Sequence, residues 1–386
     1  MSLSLEDDFI RACLAAELLD QPLPPPPPDL DWARLYGRLK AHRLNTHFYV
    51  LGKSQRDTWP VEFREQLRMD RYSLMLYGDQ CSLRIQKALS QLAAAEIPVI
   101  VMKGWAHIQN VYSGDPSQRV CEDIDILIHP GRVAAAEEIL RGFGCILDPE
   151  SWPGYNRRYE NGCRYFFPAE PGNPGNGFSI GLHWGLLHIP AYDPRLVDID
   201  ELFARAHPLT VVGLPVLELS AEDFVVYTSA HLGLHHRSDP ALFRYFELAF
   251  TIRKAGAALD WDGVIKRAAH WKYILPLHFV LERTEALWPG MVPPAVFGQL
   301  AQLRPTLGER FVDAWVRITR GRPAFDHLLT WLTFPDWKQR PLIFLQDVFP
   351  GPAYMRLRYG EAPGNFWPLL YLRRFFHGLA FLFSNH

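Results

Sequence analysis

The sequence is poor in cysteine. Five residues, Cys13, Cys81, Cys121, Cys145 and Cys163, are scattered through 386 positions without a CxxC pair. An odd, unpaired set argues against a disulfide framework or a zinc ribbon and fits a reducing compartment. Long apolar runs are also missing: no stretch reaches the roughly 18 uninterrupted apolar residues of a spanning helix. The opening MSLSLEDDF carries acids where a secretory signal has a basic region and an apolar run. These absences lead us to expect a soluble, cytoplasmic protein.

Charge of one sign is lacking as well. Forty Lys and Arg against forty-two Asp and Glu leave a net charge of -2, so no global field draws the chain onto nucleic acid or an anionic membrane, local basic patches aside, and stable DNA binding is not expected. Lysine is scarce, with 8 residues against 32 arginines, so the positive charge is mostly of the forked, phosphate-matching kind. There is no Gly-rich Walker loop, and no motif supports Ser-His-Asp or Cys-His catalysis.

Proline is plentiful. QPLPPPPPDLDW carries prolines at 22 and 24–28, a stiff stretch expected to act as a spacer between a short helix near residues 5–19 and the body. From Asp31 to about Glu96 the pattern is helical, with Leu74, Cys81, Ile85, Leu89 and Leu92 close to one face. The period then changes. IPVIVMKG reads as a buried strand and a turn, WAHIQNVY as a short helix, VCEDIDILIHP as a second strand and GRVAAAEEILRGFGC as an amphipathic helix. RRYENGCRYFFP and GFSIGLHW read as strands separated by PGNPGNG, and LTVVGLPVLEL as a hairpin before a long helical tail. The expected division is a helical region over 1–95 with its Pro-rich linker, a core over 96–219 and a helical domain over 220–386.

The most informative residues lie in Glu122-Asp123-Ile124-Asp125-Ile126-Leu127-Ile128. In a strand, residues two apart share a face with Cα atoms about 6.5–7 Å apart. Asp123 and Asp125 therefore aim into one space while Ile124, Ile126 and Ile128 face a core. Two bare carboxylates repel each other, and a divalent cation removes that repulsion; hard oxygen donors suit magnesium. A strand whose solvent face happens to carry two acids is the bland alternative. Nearby, Lys103-Gly104-Trp105 stands where a strand ends and a helix begins, and Arg119 precedes Asp123 by four residues. Lys103 can supply a point charge for phosphate and Arg119 a bidentate clamp.

The order VIVMKGWAHIQNVY, QRVCEDIDILIHP, a helix, then a strand ending LHW resembles the uncharacterised nucleotidyltransferase group of the DNA polymerase beta superfamily, over roughly residues 30–380. The resemblance implies an α+β fold: a small mixed sheet with helices before it and a helical domain after it. It implies that Asp123 and Asp125 hold magnesium, or manganese in its place. Lys103, Gly104 and Trp105 would cradle the triphosphate of an NTP, with Arg119 and His183 as further nucleotide contacts. The reaction would pass a nucleoside monophosphate to a hydroxyl of an acceptor: a small metabolite, a sugar, a protein or an RNA end.

Two departures stand out. The usual turn is Gly-Ser or Gly-Gly, and the indole of Trp105 is expected to narrow it. A third carboxylate is expected two residues before His183, where this chain has Gly181. Glu160 and Asp148 are candidates to replace that acid, and Gly181→Asp is the substitution expected to raise turnover if the rest of the site is intact. The alternatives are a catalytically impaired member that binds a nucleotide or a partner, and a helical adaptor. His183 has two readings, a base or phosphate contact and a core histidine. HLGLHH puts His231 and His235 four apart without the Glu of a metalloprotease motif. The final GNFWPLLYLRRFFHGLAFLF reads as a core helix with two snorkelling arginines, or as an interfacial one.

Overall fold

The computed structural model describes residues 4–148, 159–168, 178–187, 194–239, 241–319, 325–360 and 368–383; the pair Arg157–Arg158 and the PGNPGNG stretch lie outside them. The fold is α+β. Helices α1 (Leu5–Leu18), α2 (Trp32–Ala41), α3 (Asn45–Leu51) and the long α4 (Val61–Ala94) precede the strands. Then come β1 (Ile100–Val101), α5 (Trp105–Asn110), β2 (Asp123–Leu127), α6 (Val133–Gly142), β3 (Ile146–Leu147), β4 (Gly162–Phe166), β5 (Ser179–His183), α7 (Ile199–Arg205), β6 (His207–Val211) and β7 (Leu214–Glu218). Helices follow: α8 (Ala221–His235), α9 (Leu242–Ala255), α10 (Trp261–His270), α11 (Ile274–Leu287), α12 (Pro294–Gln302) and α13 (Leu307–Thr319). The last are α14 (Asp326–Thr333), α15 (Arg340–Val348), α16 (Pro352–Tyr359) and α17 (Pro368–Phe383).

The seven strands form one mixed sheet in the order β3-β4-β5-β2-β1-β7-β6. β2 runs parallel to β5 and β1 parallel to β7; the other neighbours are antiparallel. Alternation sorts the side chains. Ile124, Ile126 and Ile128 of the β2 segment, with Ile180, Leu182, Cys163 and Tyr165, enter a core shared with Cys81, Ile85, Leu89 and Leu92 of α4 and Val133, Ala136 and Leu140 of α6. Burial of α6 at steps of three and four places that stripe on one helical face. Leu127 and Ile100, register partners on the other face, belong to the larger core built by α1 to α3 and α8 to α13. The acid pair therefore lies on the face that meets the helical layer.

The proline stretch does not hold α1 away from the body. Phe9, Ile10, Cys13, Leu14 and Leu18 are buried in the main core, and the Trp288 indole N–H donates to the Arg11 carbonyl at 3.3 Å. The stretch is a strap that returns the chain to α2, because an apolar face as complete as that of α1 is stabilised only when covered.

Candidate functional site

β2 presents Asp123, partly exposed, and Asp125, 6% exposed, on one face. Lys103, two residues after β1, brings its Nζ to 3.1 Å from Asp125 Oδ2 as an ion pair. His183, last in β5, donates from Nε2 to Asp125 Oδ1 at 2.9 Å. The structure thus gathers Lys103, Asp123, Asp125 and His183. Burial pushes the Asp123 carboxyl up, and the Asp125 charge adds to it. Burial acts on Asp125 too, but Lys103 and the His183 hydrogen bond outweigh it and hold that carboxyl well below the usual range.

Gly104 adopts φ 58°, a left-handed conformation that favours glycine, and caps the start of α5. A Cβ there would meet only ordinary contacts with Cys121 and Arg119, so the requirement is conformational. Trp105 does not narrow the turn: its side chain is 2% exposed and buried in the core behind the sheet, near the ring of Phe178. Arg119 is engaged elsewhere. Its Nε and Nη2 fork onto Glu247 of α9 at 2.6 and 3.2 Å, and Nη1 donates to the Val120 carbonyl and the Cys121 sulfur. Tyr112 donates to the same carboxylate at 3.1 Å, and His107 Nδ1 lies 3.6 Å from it.

A helical wall from α8 stands beside Lys103. His231 Nε2 accepts from the Lys103 ammonium at 3.3 Å, and His235 and His236 have ring centroids 5.3 and 4.8 Å from that of His231. Burial first, then the Lys103 charge, keeps His231 neutral; His235 is pushed down to about 4 for the same reasons. The spacing of HLGLHH signalled a shared face, read as packed near the mouth of the site or at a helix interface, and the structure sets His231 against Lys103. Arg164 was missed altogether. The register Asp125↔Gly181↔Arg164 puts it on the same face one strand beyond Gly181, and its charge acts on Asp123.

Gly181 has a tertiary explanation. A Cβ at this position would stand 2.2 Å from Asp125 Oδ1 and 2.9 Å from His183 Nε2. An acid introduced by Gly181→Asp would first have to displace the Asp125–His183 pair from that space. Gly181→Ala is expected to break that hydrogen bond and cost about 1–3 kcal/mol, the usual range for overpacking, read as a lowered midpoint in urea. Unchanged stability would show that the strand has room to move. Neither alternative acid fills the gap. Asp148 continues the row beyond Arg164, with its Oδ2 4.0 Å from Arg164 Nη1. Glu160 lies under the influence of His327 and Asp347 of the C-terminal helices, and burial pushes its carboxyl up to about 7.

The donor set fits a magnesium ion that shares its shell with substrate. Among the described residues no group of three or more His, Cys, Asp and Glu side chains is arranged to hold a metal by itself. Magnesium usually takes one or two protein carboxylates and completes its shell with phosphate oxygens and water, which matches a pair of carboxylates on one strand face with a destabilised Asp123 charge.

Three solved structures resemble parts of the chain. The antibiotic-resistance factor ANT(2'')-Ia is 15% identical with a TM-score of 0.34, covering 54% of this chain and 98% of that one. An antigenic nucleotidyltransferase-like protein from Paracoccidioides brasiliensis is 17% identical with a TM-score of 0.32, covering 59% and 96%. JHP933 from Helicobacter pylori is 11% identical with a TM-score of 0.30, covering 62% and 94%. Likenesses this distant say nothing about substrate. No curated protein matches. The sequence profile of one family matches residues 28–289, more than half of the chain, and the protein belongs to that family, the uncharacterised nucleotidyltransferases.

Proposed function

We propose that the protein transfers a nucleoside monophosphate from an NTP to an acceptor hydroxyl, with Asp123 and Asp125 holding magnesium. The observation that carries this reading is the pairing of two carboxylates on one strand face, beside a lysine that is shared between Asp125 and the neutral His231. Family membership supports it. When bound, the cation would neutralise charge on the phosphate oxygens and orient the nucleotide for in-line displacement of pyrophosphate.

The chain's own residues have distinct tasks. Asp123 and Asp125 supply hard oxygen donors. Lys103 offers its ammonium to a phosphate group beside the Gly104 turn, and His231 accepts a hydrogen bond from it. His183 fixes the rotamer of Asp125 through Nε2. Arg119 acts through structure, tying the segment before β2 to α9 by way of Glu247.

Gly181 favours a second reading, nucleotide binding without turnover, because it supplies no third carboxylate beside Asp123 and Asp125 to accept the acceptor's proton. One experiment separates the two. The protein is incubated with each labelled NTP, magnesium or manganese, and cell extract, beside Asp123→Asn. Transfer of label by the wild type alone is the expected result. Cation-dependent NTP binding with no transfer selects the second reading, and no NTP binding at all ends both.

A further inference from the structure

The C-terminal helices are apolar on the outside. Leu307 is 83% exposed, Ile318 80%, Trp337 69% and Phe376 64%. At about 100° per residue, Leu307, Phe311, Ala314 and Ile318 fall within one arc of roughly 60° on α13. That stripe faces away from Val312 and Val316, which are buried in the main core. Exposed Arg310 and Arg317 run along one flank of it. α17 repeats the arrangement. Leu370 is buried at 3%, and Arg374 turns inward to donate to the Asp347 carbonyl at 2.7 Å. The opposite arc carries Leu369, Leu372, Phe375 and Phe376, all exposed, with exposed Arg373 among them. Over residues 368–376 the helix therefore turns more apolar side chains outward than inward. Just after α15, Phe349 is 62% exposed and meets the Tyr371 ring of α17 at 6.1 Å.

Charge identifies the occupant. Residues 303–386 contain eleven Arg and Lys against six Asp and Glu, in a chain whose net charge is -2. A second copy would bring two such basic faces together and repel. Apolar stripes flanked by arginine match an anionic bilayer surface, where apolar side chains enter the headgroup–acyl boundary and cations meet lipid phosphates. No helix among the described residues is long and apolar enough to cross a membrane, so the contact lies in the interface plane. We propose that the outward stripes of α13 and α17 dock the protein on an anionic lipid bilayer.

The test uses the full chain and two vesicle preparations, phosphatidylcholine alone and phosphatidylcholine with an equal part of phosphatidylglycerol. It reads no transferase activity and is independent of the function proposed above. Co-sedimentation with the anionic vesicles, weak on the neutral ones and falling as salt rises, is the expected result. Each basic residue near an anionic surface contributes about 1 kcal/mol, or about fivefold, so Arg310→Gln with Arg317→Gln should lower partitioning by about 25-fold. Leu369→Ser with Phe376→Ser should lower it as well, while all four exposed positions leave the thermal midpoint unchanged. Equal binding to both vesicles, or none to either, overturns the proposal. So does a dimer in light scattering that Phe376→Ser dissociates in the absence of vesicle binding.

Discussion

Asp125→Asn is expected to lower nucleotidyl transfer by at least about a thousandfold, a loss of about 4 kcal/mol of transition-state stabilisation. The same change should also weaken the fold. Asp125 neutralises Lys103 and accepts from His183, so the amide leaves an ammonium, only 28% exposed, without its counter-charge. Breaking a fully buried pair costs about 3–5 kcal/mol; with Lys103 partly solvated we expect about 2–3 kcal/mol, read as the shift of the urea midpoint. Asp123→Asn makes the contrast. Burial and the neighbouring Asp125 already work against its charge, so the amide should abolish transfer while leaving stability unchanged or raised. If both variants lose stability equally, the two acids do not divide their roles as the geometry requires.

The largest effect on stability is expected from Glu247→Ala. This carboxylate is 3% exposed and serves Arg119, Tyr112 and His107 together. Removing it strands a guanidinium that is 13% exposed, for which about 3–5 kcal/mol is the usual cost. Glu247→Gln keeps the volume and removes only the charge, and it should fall between the two. Burial would raise the Glu247 carboxyl, but Arg119 outweighs it and leaves it below its ordinary value. A carboxyl depressed in the folded state stabilises fully above the unfolded value of about 4.3 and loses that contribution as the pH falls through the lower folded value. The stability gap between wild type and Glu247→Gln should therefore be constant near neutral pH and close in acid. A gap that widens on acidification would contradict the ion pair. Because Arg119 lies four residues before Asp123, the Glu247 variants should also reduce transfer by displacing the strand that carries the acids.

Much of the core of this site was legible along the chain. Alternation in DIDIL put both acids on one face and the isoleucines on the other, since a strand repeats every two residues whatever its neighbours are. The Lys103–Gly104 turn and the helix after β2 were similarly local. Arg119 was readable as a forked cation but not as Glu247's partner, 128 residues away. Trp105 was read as an obstacle in the turn because its position, but not its direction, is visible in sequence. The proline stretch was read as a spacer for the same kind of reason: stiffness is compositional, whereas the docking of α1 depends on helices that follow much later.

What the residues determined unaided was local: periods, turns, and which side chains share a face with which near neighbours. Strand order, by contrast, is a property of the assembled sheet, and it set Gly181 between Asp125 and Arg164, turning an apparently missing acid into the space that Asp125 and His183 occupy. The facing helix α8 brought His231 to Lys103. The direction of α17 was also decided only on packing. A helix apolar around most of its girth has no preferred inside until another surface covers one side of it, and here the covered side is that of Leu370 and Arg374.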